Sequence, residues 1–275
     1  MSSSDPPGAT QRWRLELAYD GGSFRGFAYQ PGAETVVGVL RRTLASTLHL
    51  ASEPDIVGAG RTDSGVHAFA QVAHVDLPLA PSARTPSGER LARSLNKQLR
   101  GRVHVSRIDP VGDDFHARFS ATWREYRYLV LEGEAPGLAF TNAWSWSVAT
   151  ALDLAAMNRA SADVVGSHDF RAFCRRPANV EVGEALVRRV ISASWERLED
   201  QWSLSAQSAP ACRFTIRAQS FCHNMVRALV STLVGIGRGE WSEATIRDRL
   251  ASGSRHQLPP RAPAAGLALV AVGYD

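Results

Sequence analysis

The chain has 275 residues, 44% of them hydrophobic and 21% charged, with a formal net charge of +4. That composition excludes a chain disordered over most of its length and suits one large domain or two of ordinary size. No segment approaches the roughly eighteen unbroken apolar residues of a spanning helix, and the opening residues MSSSDPPGATQ lack the basic and apolar runs of a secretory leader. The expectation is a soluble, cytoplasmic protein with a disordered tail at residues 1–11. Cys174, Cys212 and Cys222 form no CxxC pair, so neither a structural zinc nor a disulfide framework is expected. Lys97 is the only lysine. Arginine forks suit phosphates, but the positive excess is shared evenly on either side of Asp113. Any nucleic-acid surface must therefore come from the arrangement of arginines and not from a basic tail.

In chain order, RWRLELAYDGGSF places Trp13, Leu15, Leu17 and Tyr19 on one face of a strand that ends at an Asp-Gly-Gly turn. A helix is predicted after Thr35, with Val36, Val39, Leu40, Thr43, Leu44, Thr47 and Leu48 at helical spacing and Arg41 and Arg42 facing away. Next comes GAGRTDSGVHAFAQVAHVD, residues 58–76. Gly58, Gly60 and Gly65 allow tight turns and close approach, and Asp63 stands among them with Arg61 two residues upstream. From Phe69 the sequence alternates with the period of a strand. The loop around Asp63 therefore hangs from a sheet edge, where binding and catalytic residues often sit. A helix in GERLARSLNKQL and a strand in VHVSRIDP complete a first α/β domain, residues 12–113, with the linker near DPVGDDF.

The second domain, 114–275, opens with a strand in REYRYLVLEG that sets Tyr126, Tyr128 and Val130 on one side. A helix is predicted in ALDLAAMNRASADVVG, strands in VRRVISASWERL, QWSLSAQ and CRFTIRAQSF, helices in SFCHNMVRALVSTLVGIG and SEATIRDRLAS, and a last strand in GLALVAVGYD. Strands and helices interleave irregularly, which predicts an α+β fold with antiparallel sheets and not a doubly wound one. Arg227 is conspicuous in the longest apolar helix. His223, Arg227 and Ser231 at four-residue spacing predict one polar stripe, and a guanidinium there needs a partner.

These segments together resemble the TruA-type tRNA pseudouridine synthases. GRTDSGVHAFAQVAH is similar to the family's active-site motif, and DDFHARFSA, REYRY, SHDFRAF, FCHNMVR, GRG and APAAGLAL follow in the family's order along nearly the whole chain. The resemblance implies two ferredoxin-like, or RRM-like, halves whose sheets meet at a central RNA-binding cleft, and a homodimer as the working form. It implies an isomerase acting on uridines at positions 38, 39 and 40 of the tRNA anticodon stem-loop, with no cofactor and no metal. Asp63 matches the catalytic aspartate, Arg61 the arginine that helps displace the target base, Tyr126 the tyrosine that stacks on the uracil, and Arg227 the arginine paired with the aspartate. His67, Gln71, His116, Arg118 and His223 are the further expected RNA contacts. Two departures stand out: Phe27-Ala28-Tyr29-Gln30 replaces the family's usual Trp-Gln, and Ser64 stands where Ala is common.

The implied reaction breaks the C1'–N1 bond of a uridine, rotates the retained uracil and joins C1' to C5. A carboxylate can open it by attack at C1', by attack at C6 or by removing a sugar proton. Two rivals are a non-catalytic RNA-binding or RNA-folding module of the same fold, and a metal-dependent hydrolase built on His67, His74 and Asp76. The spacings of the second justify no metal-ligand set.

Overall fold

The computed structural model describes residues 10–78, 87–133, 141–176, 180–181, 183–198, 210–256 and 258–274. The chain forms two compact units, residues 1–122 with 272–275, and residues 123–271. The expected strand QWSLSAQ and residues 1–9 of the expected tail lie outside the described residues, while Thr10 already begins the first strand.

In the first unit, β1 (Thr10–Tyr19) is followed by a short 3-10 turn at Gly21–Ser23, α1 (Val36–Leu48), β2 (Ile56–Gly58), β3 (His67–Pro78), α2 (Gly88–Leu99) and β4 (Val103–Val111). Every strand pair in it is antiparallel. The order across the sheet is β4, β1, β3, β2, with Leu15 opposite Ala73 on one side and Ile108 on the other. Both helices are capped as their sequences suggest: the Thr35 hydroxyl accepts from Gly38 N at 3.1 Å and the Ser87 hydroxyl from Arg90 N at 3.4 Å. Leu15, Leu40, Leu44 and Leu95 are sealed from solvent at 0% exposure, forming the core between sheet and helices. Truncating any of them to Ala would cost about 2–5 kcal/mol.

The second unit contains β5 (Trp123–Glu132), β6 (Trp146–Val148), α3 (Leu154–Ala162), β7 (Gly166–Asp169), β8 (Val187–Leu198), β9 (Ala211–Ala218), α4 (Met225–Gly237), α5 (Thr245–Ser252) and β10 (Leu267–Gly273), whose last two residues belong to the first unit. Its sheet runs β10, β5, β9, β8, β7, with β6 joined to β5 in parallel. The β5, β9, β8 and β7 pairings are antiparallel. Tyr128, Met157, Phe214, Ile216, Leu229 and Leu233 are its buried centre. The α+β class with mostly antiparallel sheet is as expected from the irregular interleaving of elements.

Three expectations need correction. The clean alternation in β3 is absent, because Gln71 to Val75 are all buried and Phe69 is 64% exposed; both faces of that stretch are covered. The polar stripe on the long helix is not formed, since Asn224 takes a left-handed φ of 67° and α4 begins only at Met225. His223 therefore precedes the helix and is exposed, Arg227 lies in its first turn, and Ser231 is buried with its hydroxyl on the Ala228 carbonyl. Finally, Cys174 and Cys222 are joined as a disulfide with their Cα atoms 5.8 Å apart. Their spacing of 48 residues gives no local signal. A backbone bond from Arg175 N to the His223 carbonyl, 2.9 Å, brings the two segments together.

Candidate active site

The Asp63 loop is built by two glycine devices and a clamp. Val66 N donates to the Asp63 carbonyl at 3.1 Å, closing a tight turn whose third residue, Gly65, has a φ of 80°. That is the signature of a type II turn, which requires glycine at this place. The segment that follows β1 presses against the loop from below. A Cβ at Gly21 would lie 2.0 Å from the Val66 carbonyl oxygen, so no side chain fits there. Gly26, at φ 105°, would carry its Cβ 3.1 Å from the Thr62 carbonyl oxygen, and Phe27 N donates to that same oxygen at 3.1 Å.

Side chains complete the clamp. The Tyr19 and Thr62 hydroxyls are 2.8 Å apart and buried. Burial pushes the Tyr19 phenol up to about 12, so it stays protonated and able to donate. The Gln71 amide donates to the Gly60 carbonyl at 2.9 Å and reaches the Tyr19 oxygen at 3.4 Å. Ser64, one of the two departures, uses its hydroxyl to bind the Phe24 carbonyl at 3.2 Å. Phe27, part of the other departure, is buried, stacks on Tyr19 with ring centres 6.0 Å apart, and fills the space that Gly58 leaves open. Asp63 itself is partly exposed at the top of this frame and Arg61 is exposed beside it. The result is one partly exposed carboxylate carried on a braced loop.

The other expected residues fall as follows. His67 is buried, its Nδ1 accepting from Gly21 N at 3.1 Å and lying 3.1 Å from an Asp20 carboxylate oxygen. With Gln71 fully buried as well, both support the loop from beneath. His116 accepts through Nδ1 from Arg118 N and Phe119 N at 3.2 and 3.1 Å, and Arg118 is exposed. His74 and Asp76 of the hydrolase rival are engaged separately: His74 Nδ1 accepts from Ala117 N at 3.1 Å, and Asp76 makes a two-pronged ion pair with Arg12 at 2.7 and 2.8 Å. Among the described residues no group of three His, Cys, Asp or Glu side chains is placed to hold a metal ion.

In the second unit Tyr126 is 8% exposed on β5, opposite Ile216 of β9, with the Phe221 ring edge-on at 5.1 Å. Arg227 is partly exposed, and its Nε donates to the Ala262 carbonyl at 2.7 Å. Tyr128, the neighbour of Tyr126 on the same strand face, donates to the Pro263 carbonyl at 2.8 Å and has its phenol pushed well up by burial. Sequence reasoning missed the clamp residues Tyr19, Gly21, Gly26 and Thr62. The one available signal was the Asp-Gly-Gly turn, read only as the end of a strand.

A family model described as tRNA pseudouridine synthase matches residues 17–120 and 160–275. Among curated proteins, the chain is similar to a tRNA pseudouridine synthase A of Cutibacterium acnes, 37% identical over 263 residues that cover 96% of this chain and 88% of that protein. It is similar to a protein of the same name from Bacillus licheniformis, 36% identical over 266 residues covering 96% and 99% of the two chains. A third, from Streptomyces griseus, is 37% identical over 280 residues covering 100% and 91%.

Proposed function

From the premise that the chain belongs to the tRNA pseudouridine synthase family, we propose that it isomerises uridine to pseudouridine in the anticodon stem-loop of tRNAs, with Asp63 as the nucleophile. The observation that carries this reading is the clamped loop. A carboxylate that must meet a base turned out of its stack needs fixed position more than burial, and the Tyr19–Thr62 hydroxyl pair with the glycines at 21, 26 and 65 supplies that fixity.

In this reading Arg61, exposed beside Asp63, takes the space left by the displaced base, and Tyr126 stacks on the uracil that is cut free. Arg227 supplies the positive charge matched to the Asp63 carboxylate. When C1' joins C5, the proton on C5 must leave and N1 must gain one, so the exchange is neutral overall and needs no external oxidant or reductant. His67 and Gln71 act through the loop, while His116, Arg118 and His223 belong to the RNA-facing surface. The order βαββαβ with the sheet sequence β4, β1, β3, β2 supports a ferredoxin-like first half. Omitting the edge strands β6 and β7, the sheet sequence β10, β5, β9, β8 repeats that pattern in the second. The resemblance further supports a cytoplasmic homodimer; among the described residues no helix is long and apolar enough to cross a membrane.

The test is carbodiimide-stop mapping of pseudouridine on tRNA transcripts incubated with the purified protein and with Asp63→Asn. The wild type is expected to mark anticodon-stem uridines, while the variant binds tRNA but turns over at least about a thousandfold more slowly. A folded wild type that binds tRNA and leaves no mark would instead establish a non-catalytic RNA-binding module.

A further inference from the structure

We propose that Phe119 is a stacking platform for an unpaired base of the RNA substrate, with Arg118 beside it to hold that nucleotide's phosphate. The inference rests on the reading of tRNA as substrate and gives a role to Phe119, which is not among the expected site residues. Phe119 is 77% exposed, the most of any large hydrophobic residue described. A single exposed apolar side chain is ordinary; what sets this one apart is how it is held.

Three rings step outward from β3. The buried His74 ring lies 4.7 Å from that of His116, which lies 4.5 Å from Phe119 at an interplanar angle of 32°. The turn that carries them is closed from within. Ser120 N donates to the His116 carbonyl at 2.9 Å, and His116 N to the Ser120 hydroxyl at 2.9 Å. His116 Nδ1 accepts from both Arg118 N and Phe119 N, so the ring cannot swing away without breaking two bonds. One side of Phe119 is thus backed by a fixed ring while most of its surface faces solvent. The Arg118 guanidinium stands 5.5 Å from the centre of the Phe119 ring. A largely exposed aromatic ring on a braced turn, with a guanidinium of the same turn close over it, fits a nucleotide with its base on the ring and its phosphate at the guanidinium.

Base stacking on an aromatic is tolerant of sequence, so the platform would serve tRNAs that differ in their loops. It would contribute to affinity and register and not to the chemical step.

The experiment compares Phe119→Leu, Phe119→Ala and Phe119→Tyr in the full chain, by tRNA binding and by steady-state pseudouridine formation. Leu keeps apolar bulk without a ring face, and Tyr keeps the face. Leu and Ala are expected to weaken tRNA binding about tenfold, with the loss falling on KM more than on kcat, and Tyr to stay close to wild type. Ultraviolet cross-linking of wild type to tRNA should leave a nucleotide adduct on the tryptic peptide 119–124. Leu binding as tightly as wild type would overturn the proposal, as would a change in oligomeric state with unchanged tRNA affinity, which would make Phe119 a contact between copies. A wild type that neither binds nor modifies tRNA would fail the functional reading first and the platform with it. Tight wild-type binding with an indifferent Phe119 would fail the platform alone.

Discussion

The Tyr19 hydroxyl lies 2.8 Å from the Thr62 hydroxyl, one residue before Asp63, and both side chains are buried. The last residue of the first strand thereby anchors a loop more than forty residues away in the chain. Tyr19→Phe keeps the ring on Phe27 and removes only the oxygen. It should cost about 1–2 kcal/mol, because Thr62 and Gln71 lose a buried partner. The loss of kcat should be larger than that, on the order of ten- to a hundredfold, because a small displacement of a positioned group is amplified in rate. KM should change little. Full kcat in the Phe variant, at a stability lowered as stated, would separate the clamp from catalysis.

His74 predicts how stability depends on pH. Burial, then the Arg12 charge and then His116, hold its imidazole down at about 4. Its folded pKa is lowered, so between pH about 6.5 and about 4 the unfolded chain takes up a proton that the native chain refuses. Stability should therefore fall as pH drops through that window, by at most about 3 kcal/mol, and this contribution should level off below it. Asp76 is also held low, by its bond to Arg12, so its share is lost only at still lower pH. Urea midpoints of wild type and His74→Asn, measured from pH 7 to pH 4.5, should converge as pH falls. Parallel curves would show that His74 is not the group responsible.

The cysteines give a prediction in counts. Cys174 and Cys222 are bonded and Cys212 is free but buried, its thiol pushed up to about 12, chiefly by burial. Protein purified without reductant should show no reactive thiol when native and one per chain when denatured. Denaturation after reduction should expose all three. Three thiols in the unreduced, denatured sample would mean that the pair is reduced in the protein as isolated.

The order and type of most elements were legible because each carries a local cause. The Thr35 and Ser87 caps start α1 and α2 where the periodicity begins, and the alternation in β5 does place Tyr126, Tyr128 and Val130 on a buried face. The carboxylate loop was legible too, through its glycines. What holds that loop was not, since Tyr19, Gly21, Gly26 and Phe27 meet it only after the chain has folded, and spacing says nothing about contacts forty residues apart. The helix that carries Arg227 shows the same limit in reverse. A periodic pattern ran through His223 and Asn224, but the left-handed backbone at Asn224 stops the helix short of them; asparagine tolerates that conformation better than most residues, yet it does not require it.

Arg227 carries the last prediction, which turns on having two jobs. Its Nε donates to the Ala262 carbonyl at 2.7 Å, and Ala262 N returns a bond to the Arg227 carbonyl at 3.2 Å. The next residue, Pro263, accepts from the Tyr128 hydroxyl at 2.8 Å, and a Cβ at Gly266 would sit 2.6 Å from the Tyr128 ring. The segment 262–266 is thus pinned by Arg227 and Tyr128 together. Arg227→Met should leave the Ala262 carbonyl without its charged donor and lower stability by about 1–3 kcal/mol. If the guanidinium also serves the Asp63 carboxylate, kcat should fall at least about a hundredfold under conditions where the variant is fully folded, far beyond what that stability change explains. Lys at the same place keeps the charge but not the planar fork. Arg227→Lys should therefore recover part of kcat while stability remains close to that of the Met variant. A Met variant with near wild-type kcat would assign Arg227 to the 262–266 segment alone. A Lys variant as slow as Met would show that the fork geometry, and not the charge, is what the reaction uses.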